Sequence, residues 1–374
     1  MEEFDIEETF LDYFDGIEDP RVGKNKMYSA NEILFVTICA IICGAESWRD
    51  MVDFGSLKLD FLRKYLPFVN GIPSKNTFCR FFAALKPDSF KTCFVAWVKS
   101  LELLDNDVIA IDGKTVRHSF DNGNETSAIH MVSAFAAKSR LVLGQQKVDD
   151  KSNEITAIPK LLDLLDIRGS IVTIDAMGTQ KEIARKIIEG GGDYILALKG
   201  NHSTLHDEVS EFLRNEDNLK HFRFAEENDC GHGRVELRKC HATEQIDWLG
   251  KLQFPGMKSI FCVESQRTIG QVETVEQRFY ISSLLAEPVK LNAATRDHWS
   301  VENCLHWTLD MTFNEDASRI RSKNAPENIA MIRHTALNLL RQAKAKFKNS
   351  SLKGLRKKAG WDNRTLAVIL GQQF

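Results

Sequence analysis

No apolar run in this chain is long enough to cross a bilayer. The longest, Ile33 to Cys43, holds 11 residues, against the roughly 20 that a membrane-spanning helix needs. It reads as a buried helix, with Ser29 and Glu32 placed as a capping box at its start. The stretch from Met1 to Pro20 is acidic and holds no apolar signal core. The eight cysteines (Cys39, Cys43, Cys79, Cys93, Cys230, Cys240, Cys262 and Cys304) include no Cys-x-x-Cys pair, and most sit among apolar neighbours. They read as reduced core residues of a cytoplasmic protein. There is no internal repeat and no low-complexity linker. There is also no basic surplus: 49 Lys and Arg face 52 Asp and Glu, for a net charge of −3. That balance weighs against a uniformly basic nucleic-acid binder. The charge is nonetheless uneven. Met1 to Pro20 contains no Lys or Arg, whereas from Arg341 to Arg364 the only acid is Asp362. A basic working face can therefore hide behind a near-neutral total.

What is present falls into two patterns. Over the first hundred residues, apolar clusters recur at helical spacing (Ile33–Cys43, Phe61–Leu66, Phe78–Leu85, Phe90–Leu104), broken at Pro67, Pro73 and Pro87. From Asp105 the pattern changes. Val108–Ile111 is a short apolar run that ends in Asp112. Ser127–Ala136 and Arg140–Val148 are further strand candidates, followed by a helix over Asn153–Asp166 with Asn153 as N-cap. A strand over Ser170–Ile174 ends in Asp175, a helix over Thr179–Glu189 stops at Gly190, and Tyr194–Leu198 is again a strand. The order β-β-β-α-β-α-β predicts an antiparallel meander and then parallel crossovers, hence an α/β domain with a mixed sheet. The stretch from about 202 to 283 reads as a β-rich insertion with strands at Arg234–Lys239, Ser259–Glu264 and Arg278–Ser282. A long helical region then runs from near Val289 to Lys348.

Two strands thus end in aspartate, at the carboxyl edge where open α/β sheets carry their sites. If the strands are parallel neighbours, Asp112 and Asp175 point into one crevice. Their repulsion then calls for a cation, and hard oxygen ligands favour Mg²⁺. Alternatively, each aspartate is a turn or cap residue. Farther on, His298, Glu302 and His306 recur at i, i+4 and i+8 and share one helix stripe. A zinc set is open there in principle, though the spacing is not His-Glu-x-x-His. So is a plain amphipathic helix packing Trp299, Leu305 and Trp307.

Five motifs in order resemble the ISAs-type bacterial insertion-sequence transposases, a group that includes the H-repeat-associated proteins found beside Rhs elements. They are Asp112-Gly113-Lys114-x-x-Arg117; Thr173-Ile174-Asp175-Ala176; Tyr194-x-x-Ala197-Leu198-Lys199-Gly200-Asn201; Gly231-His232-Gly233-Arg234-x-Glu236-x-Arg238; and His298-Trp299-x-x-Glu302-Asn303-x-x-His306-Trp307-x-x-Asp310. The resemblance implies an all-helical transposase-associated domain over 1–100. It implies an RNase H-like catalytic domain over 101–348, with a mixed five-stranded sheet and the β-rich insertion at about 202–283. A basic tail at 349–374 follows. It further implies a catalytic, metal-binding triad of Asp112, Asp175 and Glu302. Two Mg²⁺ ions, with Mn²⁺ able to substitute, would lie about 3.5–4 Å apart as in other two-metal sites. The partner would be DNA (element ends with inverted repeats, and target DNA), with self-association on it. Lys114, Arg117, Lys199, Arg234, Arg238, Arg319, Arg321 and Lys323 are the candidate phosphate contacts. The chain departs from the Tyr-Arg-Glu-Lys signature of related transposases: His298 stands four before Glu302 and Leu309 seven after it. Two other readings stand beside transposition: a stand-alone nuclease of the same fold, and an inactive or domesticated DNA-binding descendant.

Overall fold

The computed structural model describes residues 10–21, 26–101, 107–120, 127–149, 152–231 and 234–371. Every element before residue 101 is helical: α1 (Phe10–Phe14), α2 (Ala30–Ile42), α3 (Trp48–Leu57), α4 (Leu59–Leu62), α5 (Lys75–Ala84) and α6 (Pro87–Ser100). The capping box at α2 forms as its sequence predicts. Glu32 N donates to Ser29 Oγ (3.0 Å), and Ser29 N donates to Glu32 Oε2 (2.8 Å). The other Glu32 oxygen accepts the Phe68 amide at 2.6 Å, so one carboxylate starts α2 and anchors the loop before α5. Residues Ile33 to Ile42 of α2 are buried all round, which accounts for the unbroken apolar run.

The sheet begins with β1 (Val108–Thr115), β2 (His130–Ala136) and β3 (Leu141–Lys147). It continues through α7 (Glu154–Leu162), β4 (Ile171–Ile174), α8 (Lys181–Glu189) and β5 (Asp193–Leu198). As the connection lengths demand, β1–β2 and β2–β3 are antiparallel, while β1–β4 and β4–β5 are parallel. The Asn153 side chain caps α7, and α8 ends at Gly190, with Gly191 in the left-handed region at φ 76°.

The insertion behaves differently from its sequence reading. After α9 (Ser203–Arg214) and α10 (Glu216–Leu219) come four strands: β6 (Arg223–Gly231), β7 (Arg234–Thr243), β8 (Ser259–Ile269) and β9 (Val272–Ser282). They do not form a separate unit. β9 pairs antiparallel with β5, from Ile195↔Ser282 to Leu198↔Phe279. The result is one nine-stranded sheet, in the order β3-β2-β1-β4-β5-β9-β8-β7-β6, in place of the expected five strands. The physical reason is the edge. Without β9, the backbone of β5 would present a row of unpaired groups.

The helical region after Val289 is also not continuous. It is α11 (Pro288–His298), one π-helical turn over Val301–His306, α12 (Trp307–Phe313) and α13 (Ala325–Ala343). Asn314, in the left-handed region at φ 53°, ends α12. The stretch expected as a basic tail carries α14 (Leu352–Trp361) and α15 (Asn363–Ile369). Leu355, Ala359, Leu366 and Ile369 are buried there, and Arg356 donates to the Ile41 carbonyl at 2.7 Å and to the Thr312 carbonyl. The apolar spacing of these residues outweighs the charge around them. One hydrophobic core runs from α2 and α6 through β3 to α13 and α14.

Candidate active site

The last parallel pair between β1 and β4 is Ile111↔Ile174. The next residue on each strand is the aspartate, so Asp112 and Asp175 stand level at the carboxyl edge of neighbouring strands. Asp112 does not end its strand, contrary to expectation. β2 continues to supply a partner as far as Thr115↔His130, whereas β4 turns away at Asp175. The turn reading of Asp175 also holds: its Oδ1 accepts from the amides of Met177 (3.0 Å) and Gly178 (3.5 Å). Capping and a place at the edge are compatible.

The helical stripe docks across the same two strands. His298 Nδ1 lies 3.0 Å from Thr173 Oγ1 on β4, and His306 Nδ1 lies 3.5 Å from Asp112 Oδ2 on β1. Glu302, midway between them in the chain, is exposed and occupies the π-helical turn, a local widening that recurs at functional sites. Val301 and Leu305 pin that turn into the core. Burial pushes both histidines down to about 4, so each is neutral at neutral pH and the His306–Asp112 contact is not an ion pair. Asp112 is pushed up to about 7, chiefly by burial. The Gly113 amide works against this, while Glu154, Glu302 and Asp175 add to it in that order. Negative charge therefore converges on Asp112.

Glu154 and His130 were not singled out by the sequence. His130 bridges Glu154 Oε1 (2.6 Å) and Thr115 Oγ1 (2.9 Å). The pair stands in the space that a side chain at Gly113 would need, so any larger residue after Asp112 would have to displace the Glu154 carboxylate and the His130 ring. The Asp-Gly step was the one available signal.

The cationic candidates separate by burial. Lys114 is only 11% exposed, with its Nζ 2.7 Å from Asp310, 2.9 Å from Asp316 and 3.5 Å from Glu315. Burial opposes its charge, but the three carboxylates outweigh that and raise its pKa. Arg238 is 9% exposed and donates to Asn292 Oδ1 (3.0 Å) and Thr295 Oγ1 (3.2 Å). Both are buried and partnered within the chain, which weighs against their place among the phosphate contacts. Arg117 is 76% exposed, with Asp316 at 3.2 Å. Arg321 donates to the His118 carbonyl (2.9 Å) and lies over the Phe120 ring, while Arg319 and Lys323 are exposed nearby in sequence. Lys199 is exposed beside an open cleft of about 730 Å³ that runs from Asp175 past Arg278, His298 and Trp299. The side chain of Arg234 and the residues His232 and Gly233 lie outside the described residues.

This arrangement can be set beside known proteins. Residues 104–339 match the family described as Transposase DDE domain, and residues 11–98 match the one described as DDE_Tnp_1-associated. The chain belongs to the DDE transposase family. Its relatives include the H repeat-associated protein YhhI of Escherichia coli (strain K12), named as a transposase. YhhI is 42% identical over 371 residues, which span 96% of this chain and 97% of that one. YncI of Escherichia coli O157:H7, also named as a transposase, is 43% identical over 349 residues, 90% of this chain and 88% of its own. Among solved structures, the piggyBac transposase synaptic complex with hairpin DNA aligns over 96% of this chain and 75% of that one, at 10% identity and a TM-score of 0.45.

For a DDE transposase, the donor set at this edge suits a hard divalent cation, because all its members are carboxylates. The raised Asp112 marks the charge that such a cation would relieve. The structure brings Asp112 and Asp175 level and sets Glu302 on the facing helix. Among the described residues, no three His, Cys, Asp or Glu side chains are gathered closely enough to hold a metal ion as they stand.

Proposed function

We propose that this DDE transposase cleaves DNA at the ends of an insertion sequence and joins the freed 3′-hydroxyl to target DNA. The reading extends the fold to the RNase H-like class, with Asp112, Asp175 and Glu302 as the catalytic carboxylates. The observation that carries it is the Ile111↔Ile174 register, which sets two aspartates level on parallel strands beneath the helix bearing Glu302. Mg²⁺ (two ions, or Mn²⁺ in their place), when bound, supplies Lewis-acid polarisation of the phosphoryl oxygens. Asp112 and Asp175 hold the strand side of the site and Glu302 its helix side. Thr173 and Asp112, through His298 and His306, fix how the helix lies over the sheet. Arg117, Arg319, Arg321, Lys323 and Lys199 offer solvent-facing cations to DNA phosphates. Arg117 and Arg321 come together around His118 and Asp316, so cations gather there despite the net charge of −3. Two DNA ends must be handled together, so self-association on DNA belongs to the same proposal.

The deciding experiment is cleavage of labelled DNA carrying the element's own terminal repeats, with Mg²⁺ and with EDTA. Wild type should nick at the repeat boundary only with metal. Asp112→Ala, Asp175→Ala and Glu302→Ala should each bind the DNA and leave it uncut. Pre-cleaved ends should be joined to a target plasmid by wild type; hydrolysis without joining would mean a nuclease. Specific binding without cleavage under any divalent metal would mean an inactive descendant that only binds DNA.

A further inference from the structure

We infer that Lys114 is a positioning residue: its buried ammonium clamps the helix bearing Glu302 against the strand bearing Asp112. The inference rests on the proposed roles of those two carboxylates. Lys114 lies two residues beyond Asp112 on β1 and so shares its face of the strand. Asp310 lies eight residues beyond Glu302, on α12. The contact between Lys114 Nζ and Asp310 Oδ1, at 2.7 Å, joins the two elements directly. An ammonium has three N–H donors, and two more carboxylates surround this one, Asp316 at 2.9 Å and Glu315 at 3.5 Å. Glu315 is itself buried and receives Arg333 of α13 at 3.4 Å, so strand, catalytic helix, the turn after it and α13 meet in one polar cluster.

The sign of the charges makes this more than added stability. Three carboxylates crowd within reach of a site that is already acidic. With Lys114 neutralised, Arg333 still faces Glu315 and Arg117 still faces Asp316, but Asp310 loses the cation that ties it to β1 and is left to the repulsion of Asp316 and Glu315. The far end of α12 is held separately. Arg356 donates to the Thr312 carbonyl, and Asn314 Nδ2 donates to Glu46 Oε2 at 2.9 Å. Loss of the clamp should therefore loosen the helix on its Glu302 side, where the buried Val301 and Leu305 and the docking of His306 beside Asp112 are left to hold it, while the chain stays folded.

The test uses the full-length protein as Lys114→Met, Asp310→Asn and the double variant. Three readouts apply: hydrogen exchange along the chain without metal, Mn²⁺ binding by calorimetry, and DNA binding at several salt concentrations. A clamp predicts faster exchange confined to residues 302–313 in each single variant. It predicts Mn²⁺ affinity lowered by about 10- to 100-fold, the range seen when residues that orient metal ligands are removed. The double variant should be no worse than Lys114→Met alone, because that change already removes the contact that Asp310→Asn removes. DNA affinity should not move. Faster exchange spread over the whole chain with unchanged Mn²⁺ affinity would overturn the inference in favour of plain stabilisation. Weaker DNA binding with a shallower salt slope in Lys114→Met, absent in Asp310→Asn, would overturn it in favour of a phosphate contact. If wild type binds no Mn²⁺ at all, the carboxylate assignment fails, and the exchange pattern at 302–313 still decides the clamp.

Discussion

Burial pushes the Asp112 carboxyl up to about 7, from the 3.8 of a free aspartate. The consequence for stability has a definite sign. Below about pH 4 the group is protonated both folded and unfolded, and it costs nothing. Between there and pH 7 the unfolded chain ionises first, so stability falls as pH rises. Above pH 7 the full penalty is present, on the order of a few kcal/mol from the size of the shift. In EDTA, Asp112→Asn should therefore be more stable than wild type at pH 8 and equal to it near pH 4, as read by urea unfolding. Mg²⁺ should close the gap at pH 8 by stabilising wild type alone. A wild type that is the more stable at pH 8 in EDTA would remove the account of Asp112. The cations allow a second comparison at this scale. Arg117→Ala should weaken DNA binding alike on all sequences and lower the salt slope by about one. Arg238→Met should leave the slope unchanged and cost about 1–3 kcal/mol, because it strands Asn292 and Thr295 in the interior. The sequence shows Arg117, Lys114 and Arg238 as three equal charges. Only the fold separates them, since burial depends on residues such as Asp310 and Asn292 that lie far away in the chain.

Elements were legible where the signal is local. Ser29 and Glu32 cap α2, Asn153 caps α7, and apolar runs mark β1 and β4 with an aspartate at the same point of each. Local signals failed where a distant partner decides. β6 carries Glu226, Glu227 and Asp229 and does not read as a strand, yet it pairs along its whole length with β7. The π-helical turn that presents Glu302 has no local signature, because the docking of His298 on Thr173 and His306 beside Asp112 sets the span it must cover. The outer edge of β3 is a further case. Asn338 of α13 accepts the Val142 amide and donates to the Val142 carbonyl, both at 2.9 Å, in place of a missing strand. Asn338→Ala would leave two buried backbone groups unpaired. It should cost about 2 kcal/mol or more, given 1–3 for each unsatisfied group. Equilibrium unfolding should show the loss, and hydrogen exchange should place it at β3. A cost below 0.5 kcal/mol would mean that the edge is satisfied in another way.

At the scale of the molecule, charge composition misdirects at the carboxyl end. The stretch 349–374 reads as a basic tail, but the apolar residues among its bases tie α14 and α15 to the rest. Arg356 lies over the Phe313 ring with its guanidinium carbon 4.2 Å from the centroid, and it holds the carbonyls of Ile41 and Thr312. It thus joins the helical amino-terminal region to the end of α12. Leu355, Leu366, Ile369 and Leu370 are buried in the process. Full burial of such side chains contributes about 1.5–3 kcal/mol each, so the four together rival the 5–15 kcal/mol by which whole domains are stable. A chain truncated after residue 348 should therefore unfold at much lower urea or aggregate on expression, rather than remain folded with weaker DNA binding. Its loss should reach the site as well, because α12 would keep Lys114 but, of its two far anchors, only Asn314. Lys353→Ala with Lys357→Ala is the matching control, since both side chains are exposed and their loss removes charge without touching Arg356 or the leucines. That variant should keep the wild-type unfolding midpoint. A truncated protein with the same midpoint as wild type would return these residues to the status of a tail.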